Sequence, residues 1–392
     1  MLDLAIFGSK PLFAEQLCVN RPNVGNRNKF LDRVNEMFDC QIFTNGGSMV
    51  SQLEHEISDF LNVKHCVLTC NGTMALQLIS QSLGLQGEVI VPSFTFIATA
   101  HAMLWQGLTP VFCDVDIHTN NIDPLACEKL ITEKTSAILA VHLWGRPCDT
   151  EKLEELAAKY NLKLFFDSAH AFGCSHQEKM IANFGVAEAF SFHATKVFHT
   201  FEGGAVTTND SDLAYKVRKL RNFGFVNYDC VNGIGINGKM TEVCAAMGLT
   251  NLECIQKTLN KNKLIYTRYY EIFSLIEGIT IQKFNTKEKC NYQYIVINID
   301  ETITGIGRDL LVKLLHAENI MVRRYFYPGC HLMEPYASNK EIKLKNTEYL
   351  SQHLMVLPAG SDVTVRQVEK ITDLIQLIIR DSVSIKEKLK EQ

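Results

Sequence analysis

The chain lacks a C-x-x-C pair, an internal repeat and a low-complexity linker. It lacks an apolar run long enough to cross a membrane, and any block of like charge beyond the lysine-rich end IKEKLKEQ. Each absence excludes something. Without paired cysteine spacing there is no sign of a zinc or disulfide framework, and an odd thirteen cysteines fit a reducing compartment where the thiol acts as a small hydrophobe. Without charge blocks, and with 39 basic against 43 acidic side chains, nothing favours nucleic acid or an anionic membrane surface as partner. The opening MLDLAIFGSKPLF is too short and too polar for a signal peptide. No membrane, no metal and a cytoplasmic location are therefore expected.

What is present is an ordinary globular composition over 392 residues, enough for one large α/β unit and a smaller one. From about residue 50, short apolar runs alternate with helical periods. HCVLTC (65–70), EVIVP (88–92), PVFCDVD, SAILAVH and KLFFD are continuous apolar strands, and GAVTTND (204–210) adds another. TMALQLISQSL (73–83) reads as a helix, and a second helical stretch runs through TFIATAHAML. Fully apolar strands alternating with helices predict a parallel sheet covered on both faces. A helix over about 211–222 and one long helix over about 240–275 follow. Beyond them, QYIVINID (293–300), a helix near 307–317, IMVRRYF (320–326) as a strand and a helix near 364–380 read as a small α+β domain. The long helix suggests a division into 1–260 and 261–392.

In such sheets ligands bind beyond the carboxyl ends of the strands. Asn71-Gly72-Thr73 follows the first strand, and Ser93-Phe94-Thr95-Phe96 follows EVIVP. Asp167 ends KLFFD and leads to Ser168-Ala169-His170. Ala194-Thr195-Lys196 follows AFSFH. Singly, each has a plain structural reading. The Asn-Gly-Thr run is a helix cap or a phosphate cradle. Asp167 needs a partner, either a structural cation or a ligand atom. His170 and Phe96 read as core, and Lys196 as a snorkelling surface lysine. Together they are the parts that pyridoxal phosphate needs. Amides and hydroxyls take the phosphate, a buried carboxylate keeps the pyridine nitrogen protonated, and an aromatic face supports the ring. A desolvated lysine meets the aldehyde.

The blocks KPLF, RPNVGN, FTNGGSMVSQLE, NGTMAL, VPSFTFIATAHA and FFDSAHAFG occur in order. SFHATKVFHTFEGGAVTTND, LRNFG and GINGKMTEVCAAMGL follow them. In this the chain resembles the DegT/StrS family of nucleotide-sugar aminotransferases, over most of its length. The resemblance implies the aspartate aminotransferase fold: a large domain with a mostly parallel seven-stranded sheet plus a small C-terminal α+β domain. It implies pyridoxal 5′-phosphate as cofactor, with Lys196 bonded to the aldehyde and moving protons and Asp167 on the pyridine nitrogen. His170 would lie near the ring hydroxyl and Phe96 on the ring face. Thr73, the Gly72 and Met74 amides and Ser191 would hold the phosphate. It implies a homodimer with shared sites, Asn222 reaching the partner's cofactor and Asn237 and Lys239 near the phosphate or sugar nucleotide. Glu202 would shape the substrate mouth. Arg323 and Arg324 either contact the glutamate carboxylate or the diphosphate, or are plain surface arginines.

Many relatives carry arginine where this chain has Lys239. Others replace the cofactor lysine by histidine and become dehydratases; this chain keeps Lys196, and His193 does not occupy that position. The TFEGGAVT pattern resembles the 4-aminotransferases. The expected reaction passes the amino group of L-glutamate to dTDP-4-keto-6-deoxyglucose, giving the dTDP-4-amino-4,6-dideoxyglucose of O-antigen synthesis. A 3-keto or UDP-linked sugar and a non-catalytic cofactor-binding regulator are the alternatives.

Overall fold

The computed structural model describes residues 4–19, 21–337 and 342–391. The outer ends of the expected division, Met1–Asp3 and Gln392, lie outside them. Seven strands form the central sheet: β1 (His65–Thr69), β2 (Glu88–Pro92), β3 (Thr109–Cys113), β4 (Thr135–Val141), β5 (Lys163–Asp167), β6 (Glu188–Ser191) and β7 (Gly204–Thr208). Their order is β1-β7-β6-β5-β4-β2-β3. Only β7 runs against its neighbours; the β6–β5, β5–β4, β4–β2 and β2–β3 pairs are parallel. The sheet is mostly parallel, as the unbroken apolar strands predict.

Those runs are apolar throughout because both sheet faces are covered. Phe166 and Phe190 pack into one core with Leu53 and Ile57, while Phe165, Val67 and Val89 face a second core with Leu76 and Ile79. Helix α1 (Gly72–Leu83) starts on Asn71, whose side chain accepts a hydrogen bond from the Met74 amide. Helix α2 is shorter than the sequence suggests, Ala98–Leu104, because Ser93–Phe96 stays irregular at the mouth of β2. Helix α3 spans Ser211–Arg221, capped by Asp210.

The single helix expected over 240–275 is two: α4 (Glu242–Leu252) and α5 (Ile255–Phe273). No glycine or proline marks the break. Past Ile255 and Leu259, which still pack with α4, the two helices serve different cores. Ala245, Ala246 and Leu249 pack with the sheet, whereas Ile265, Tyr269 and Phe273 pack in a separate cluster with Ile295, Ile297 and Ile375. The IMVRRYF strand is likewise corrected. Only Ile320–Met321 is extended, paired with Leu17–Cys18, and past an isolated bridge from Arg323 to Val356 the chain turns away.

The smaller layer has three antiparallel strands, β8 (Ile279–Ile281), β9 (Ile295–Ile299) and β10 (Leu354–Leu357), and helix α6 (Val365–Arg380). A Thr364–Gln367 capping box opens α6. Leu4 and Phe13 also join this core. A fourth cluster, with Phe94, Val141, Trp144, Tyr294 and Phe326, joins the two layers beneath the strand ends.

All thirteen cysteines are free. Among the described residues, no helix is long and apolar enough to cross a membrane, and no group of three or more His, Cys, Asp or Glu side chains could hold a metal ion.

Candidate active site

The carboxyl ends of β1, β5 and β6 and the amino end of the antiparallel β7 lie nearly level. Register pairs Asp167 with Ala189, Ser191 with Gly204 and Gly204 with Thr69. The turn after β1 crosses over this row. A Cβ on Gly204 would sit 2.5 Å from the Asn71 carbonyl carbon, and one on Gly72 would sit 2.8 Å from Ser191 Cβ. Both contacts are too close for a side chain, so these two glycines let the start of α1 settle against β6 and β7.

A cavity of about 390 Å³ opens above that row. Gly72, Thr73, Phe96, Asp167, His170, Ser191, Lys196, Glu202 and Arg323, nine of the residues singled out in the sequence, line it. Asp167 is buried; Oδ2 accepts from Thr99 Oγ1 at 2.8 Å and Oδ1 from the Ala169 amide at 3.1 Å. Burial pushes its pKa up, opposed by those two hydrogen bonds and by the charge of Lys196. Lys196 lies on the irregular stretch between β6 and β7. Desolvation brings its amine from 10.5 down to about 8, with Asp167 pulling the other way. Its Nζ donates to the Tyr294 hydroxyl at 3.4 Å. His170 is held neutral by burial, with the Lys196 charge adding to the effect. Its Nδ1 accepts from the Trp144 amide at 3.3 Å, so its proton is on Nε2, and its ring stacks on the Trp144 indole. Phe96 keeps a 57 % exposed ring at the mouth. Glu202 stands there too, 3.5 Å from His193.

Five expected residues lie outside this cavity. The Met74 amide donates to Asn71 Oδ1 at 2.8 Å. Arg324 pairs with Asp309 at 3.2 Å and lies over the Tyr327 ring, bordering an adjoining groove of about 680 Å³ that shares Phe96 and Arg323 with the cavity. Asn222, Asn237 and Lys239 form a group of their own. Asn222 and Asn237 bridge through their backbones, and Lys239 Nζ donates to Asn222 Oδ1 at 2.8 Å over the Phe223 ring.

The sequence reading missed Thr99, Tyr294, Tyr325 and Phe326. The latter three line the cavity from the smaller layer. No local signal marks them, because Tyr294 lies 98 positions from the lysine it meets.

A profile of the DegT/DnrJ/EryC1/StrS aminotransferase family matches residues 25–376. The chain belongs to that family. It is an enzyme, an aminotransferase. A dTDP-4-amino-4,6-dideoxy-D-glucose transaminase of Shigella dysenteriae is 38% identical, covering 94% of this chain and 99% of the relative. The Escherichia coli protein of the same name is 36% identical, covering 91% and 97%. Among solved structures, DesI in the presence of its TDP-sugar product superposes with a TM-score of 0.95 at 41% identity over 99% of both chains.

The residues present fit the cofactor implied by the family. The buried Asp167 carboxylate has no arginine of its own, which suits a cationic ring nitrogen. The α1 start carries Gly72 and Thr73 against Ser191, which suits a phosphate at a helix N-terminus. The lysine amine is desolvated, as an aldehyde-binding lysine must be.

Proposed function

We propose that the enzyme uses pyridoxal 5′-phosphate to move the amino group of L-glutamate to dTDP-4-keto-6-deoxyglucose, forming dTDP-4-amino-4,6-dideoxyglucose. The observation that carries the sugar assignment is the near full-length likeness to two relatives bearing that product's name. The cavity supports the chemistry. Gly72, Thr73 and Ser191 would hold the phosphate, Asp167 would pair with the ring nitrogen, the Nε2 proton of His170 would serve the ring hydroxyl and Phe96 would cover the ring. When bound, the cofactor supplies a conjugated ring that accepts the electron pair left by a departing proton.

The work of the chain is to move that proton. The amine of Lys196, freed by the incoming donor, is neutral over a useful pH range because burial has lowered its pKa. It would take the proton from the α-carbon of glutamate and hold it for return across the nitrogen. With the keto sugar it works in reverse, delivering a proton to C4. Arg323, in the cavity wall, grips an anionic group, the donor carboxylate or the diphosphate. Arg324 serves the adjoining groove in the same way.

The second half of the proposal is a homodimer. Phe223, Phe225, Ile234 and Ile236 are exposed beside Asn222, Asn237 and Lys239. A second copy covers this apolar rim, and Asn222 and Lys239 then reach the partner's cavity. The substrates are a cytoplasmic amino acid and an activated sugar, so the enzyme works in the cytoplasm, and its product suits O-antigen assembly.

The test is product analysis. The loaded enzyme is incubated with L-glutamate and a panel of dTDP- and UDP-linked 3-keto and 4-keto sugars, and the product's nitrogen is placed by NMR. A 4-amino product from the dTDP-4-keto sugar supports the proposal. A 3-amino or UDP-linked product shifts the substrate class. Retained cofactor without amino transfer to any sugar defeats it.

A further inference from the structure

The lysine loop holds itself in part, the Lys196 amide donating to the His193 carbonyl at 2.8 Å, and is braced further from outside. The segment Asn291–Tyr294, which leads into β9 of the smaller layer, grips it at three points. Gln293 is 4% exposed, and its side-chain amide brackets Lys196: Nε2 donates to the Thr195 carbonyl at 2.5 Å and Oε1 accepts from the Val197 amide at 3.0 Å. Tyr294, 3% exposed, places its hydroxyl on Lys196 Nζ at 3.4 Å. Asn291, fully buried, donates to the carbonyls of His170 at 2.8 Å and Phe172 at 3.1 Å. One short segment thus ties the Asp167–His170 loop to the Lys196 loop.

We propose that Tyr294 is a catalytic residue of this aminotransferase that orients the Lys196 amine, and that Gln293 is a positioning residue that fixes the lysine's backbone. The physical need is plain. A free lysine amine ends a flexible four-carbon stem and rotates about its last bond. Proton transfer requires the lone pair to point at one carbon, and holding a group in reacting geometry is worth orders of magnitude in rate. The Tyr294 oxygen accepts one N–H of the amine and thereby limits that rotation. The tyrosine is itself immobile. Its ring packs 4.4 Å from His170 and 5.2 Å from Trp144, centroid to centroid. Burial raises its pKa, so the phenol stays protonated and Lys196 alone carries the proton. Gln293 supplies what a mobile loop would lack. Without it, the Thr195 carbonyl and the Val197 amide lose these partners.

This inference rests on Lys196 as the proton carrier, and the test separates the two. In cofactor-free protein, the rate at which Lys196 is modified by an amine-directed imidoester is followed against pH. An oxygen that accepts from the ammonium favours the charged form. Tyr294→Phe should therefore lower the midpoint by about 0.7 of a pH unit, about 1 kcal/mol of preference for the ammonium over the neutral amine. In loaded protein, Tyr294→Phe should slow the single-turnover reaction with L-glutamate roughly tenfold or more, with the half-saturating glutamate concentration unchanged. Gln293→Ala should slow the same step, with recovery in Gln293→Asn no more than partial because the shorter amide cannot span both peptides. An active wild type matched by Tyr294→Phe in both midpoint and rate overturns this inference alone. A wild type that does not respond to glutamate overturns the lysine assignment and this inference with it.

Discussion

Two regions of the molecule carry residues of the same family blocks, yet they are built in opposite ways. Around Lys196 the reacting groups are held from within the chain: Gln293 on its backbone, Tyr294 on its amine, Asp167 by Thr99 and Ala169. Around Lys239 the polar pair to Asn222 sits among Phe223, Ile234 and Ile236 turned to solvent. Monomeric proteins rarely expose such apolar groups together. The first region is braced within the chain, and the second fits the edge of the proposed dimer. Catalytic groups must be pre-ordered, whereas a subunit edge can wait for its neighbour.

The sharpest way to break the comparison is at its braced side. Lys196→Ala should leave the fold intact and reduce amino transfer by at least about 10³-fold, measured by coupled 2-oxoglutarate release. Asp167→Asn should cost roughly 10²-fold in the same assay and loosen cofactor retention. It should also raise the melting temperature of the cofactor-free protein, and the sign follows from the pKa. A carboxyl whose pKa is raised by burial holds its proton more tightly folded than unfolded. Its contribution to stability is therefore lost as pH rises from the ordinary carboxylate range through the raised value. The advantage of Asp167→Asn should grow from about pH 4 upward and then level off.

At the open side, Phe225→Asp combined with Ile234→Asp should convert a dimer to a monomer in sedimentation velocity. Both side chains are exposed, so the fold should survive. Activity should fall with the loss of the partner's Asn222 and Lys239, while the Lys196 midpoint in cofactor-free protein stays where it was. A variant that stays monomeric but fully active would dissolve the distinction between the two regions. The smallest effect belongs to Lys239→Ala. It should raise the KM for the nucleotide sugar several-fold with little change in kcat, since it would remove one proposed, half-buried contact to an anion.

Much of the braced side was legible in the sequence, and the reason is local. KLFFD is a strand from Lys163 to Asp167 as read, because an unbroken apolar run ending in one carboxylate has few other solutions. The Asn71 cap and α1 are written in adjacent residues. The errors share a different cause. The break between α4 and α5 is set by two separate cores, with Lys29 and Arg33 pairing to Glu253 at the joint, and no residue there announces it. IMVRRYF is β-branched and aromatic, yet only Ile320–Met321 find a strand to pair with. Thr99, Gln293 and Tyr294 matter through contacts 68 to 98 positions away, which periodicity cannot show.

The most direct measurement is the absorbance spectrum of the protein loaded with pyridoxal phosphate, recorded before and after adding L-glutamate. The band of lysine-bound cofactor should be replaced by that of the aminated cofactor, and Lys196→Ala should show no such exchange. A bound-cofactor band that glutamate leaves unmoved would contradict the proton-transfer role given to Lys196 with this donor. No band at all, even with cofactor added, would contradict the pairing of Lys196 and Asp167 as its two holds.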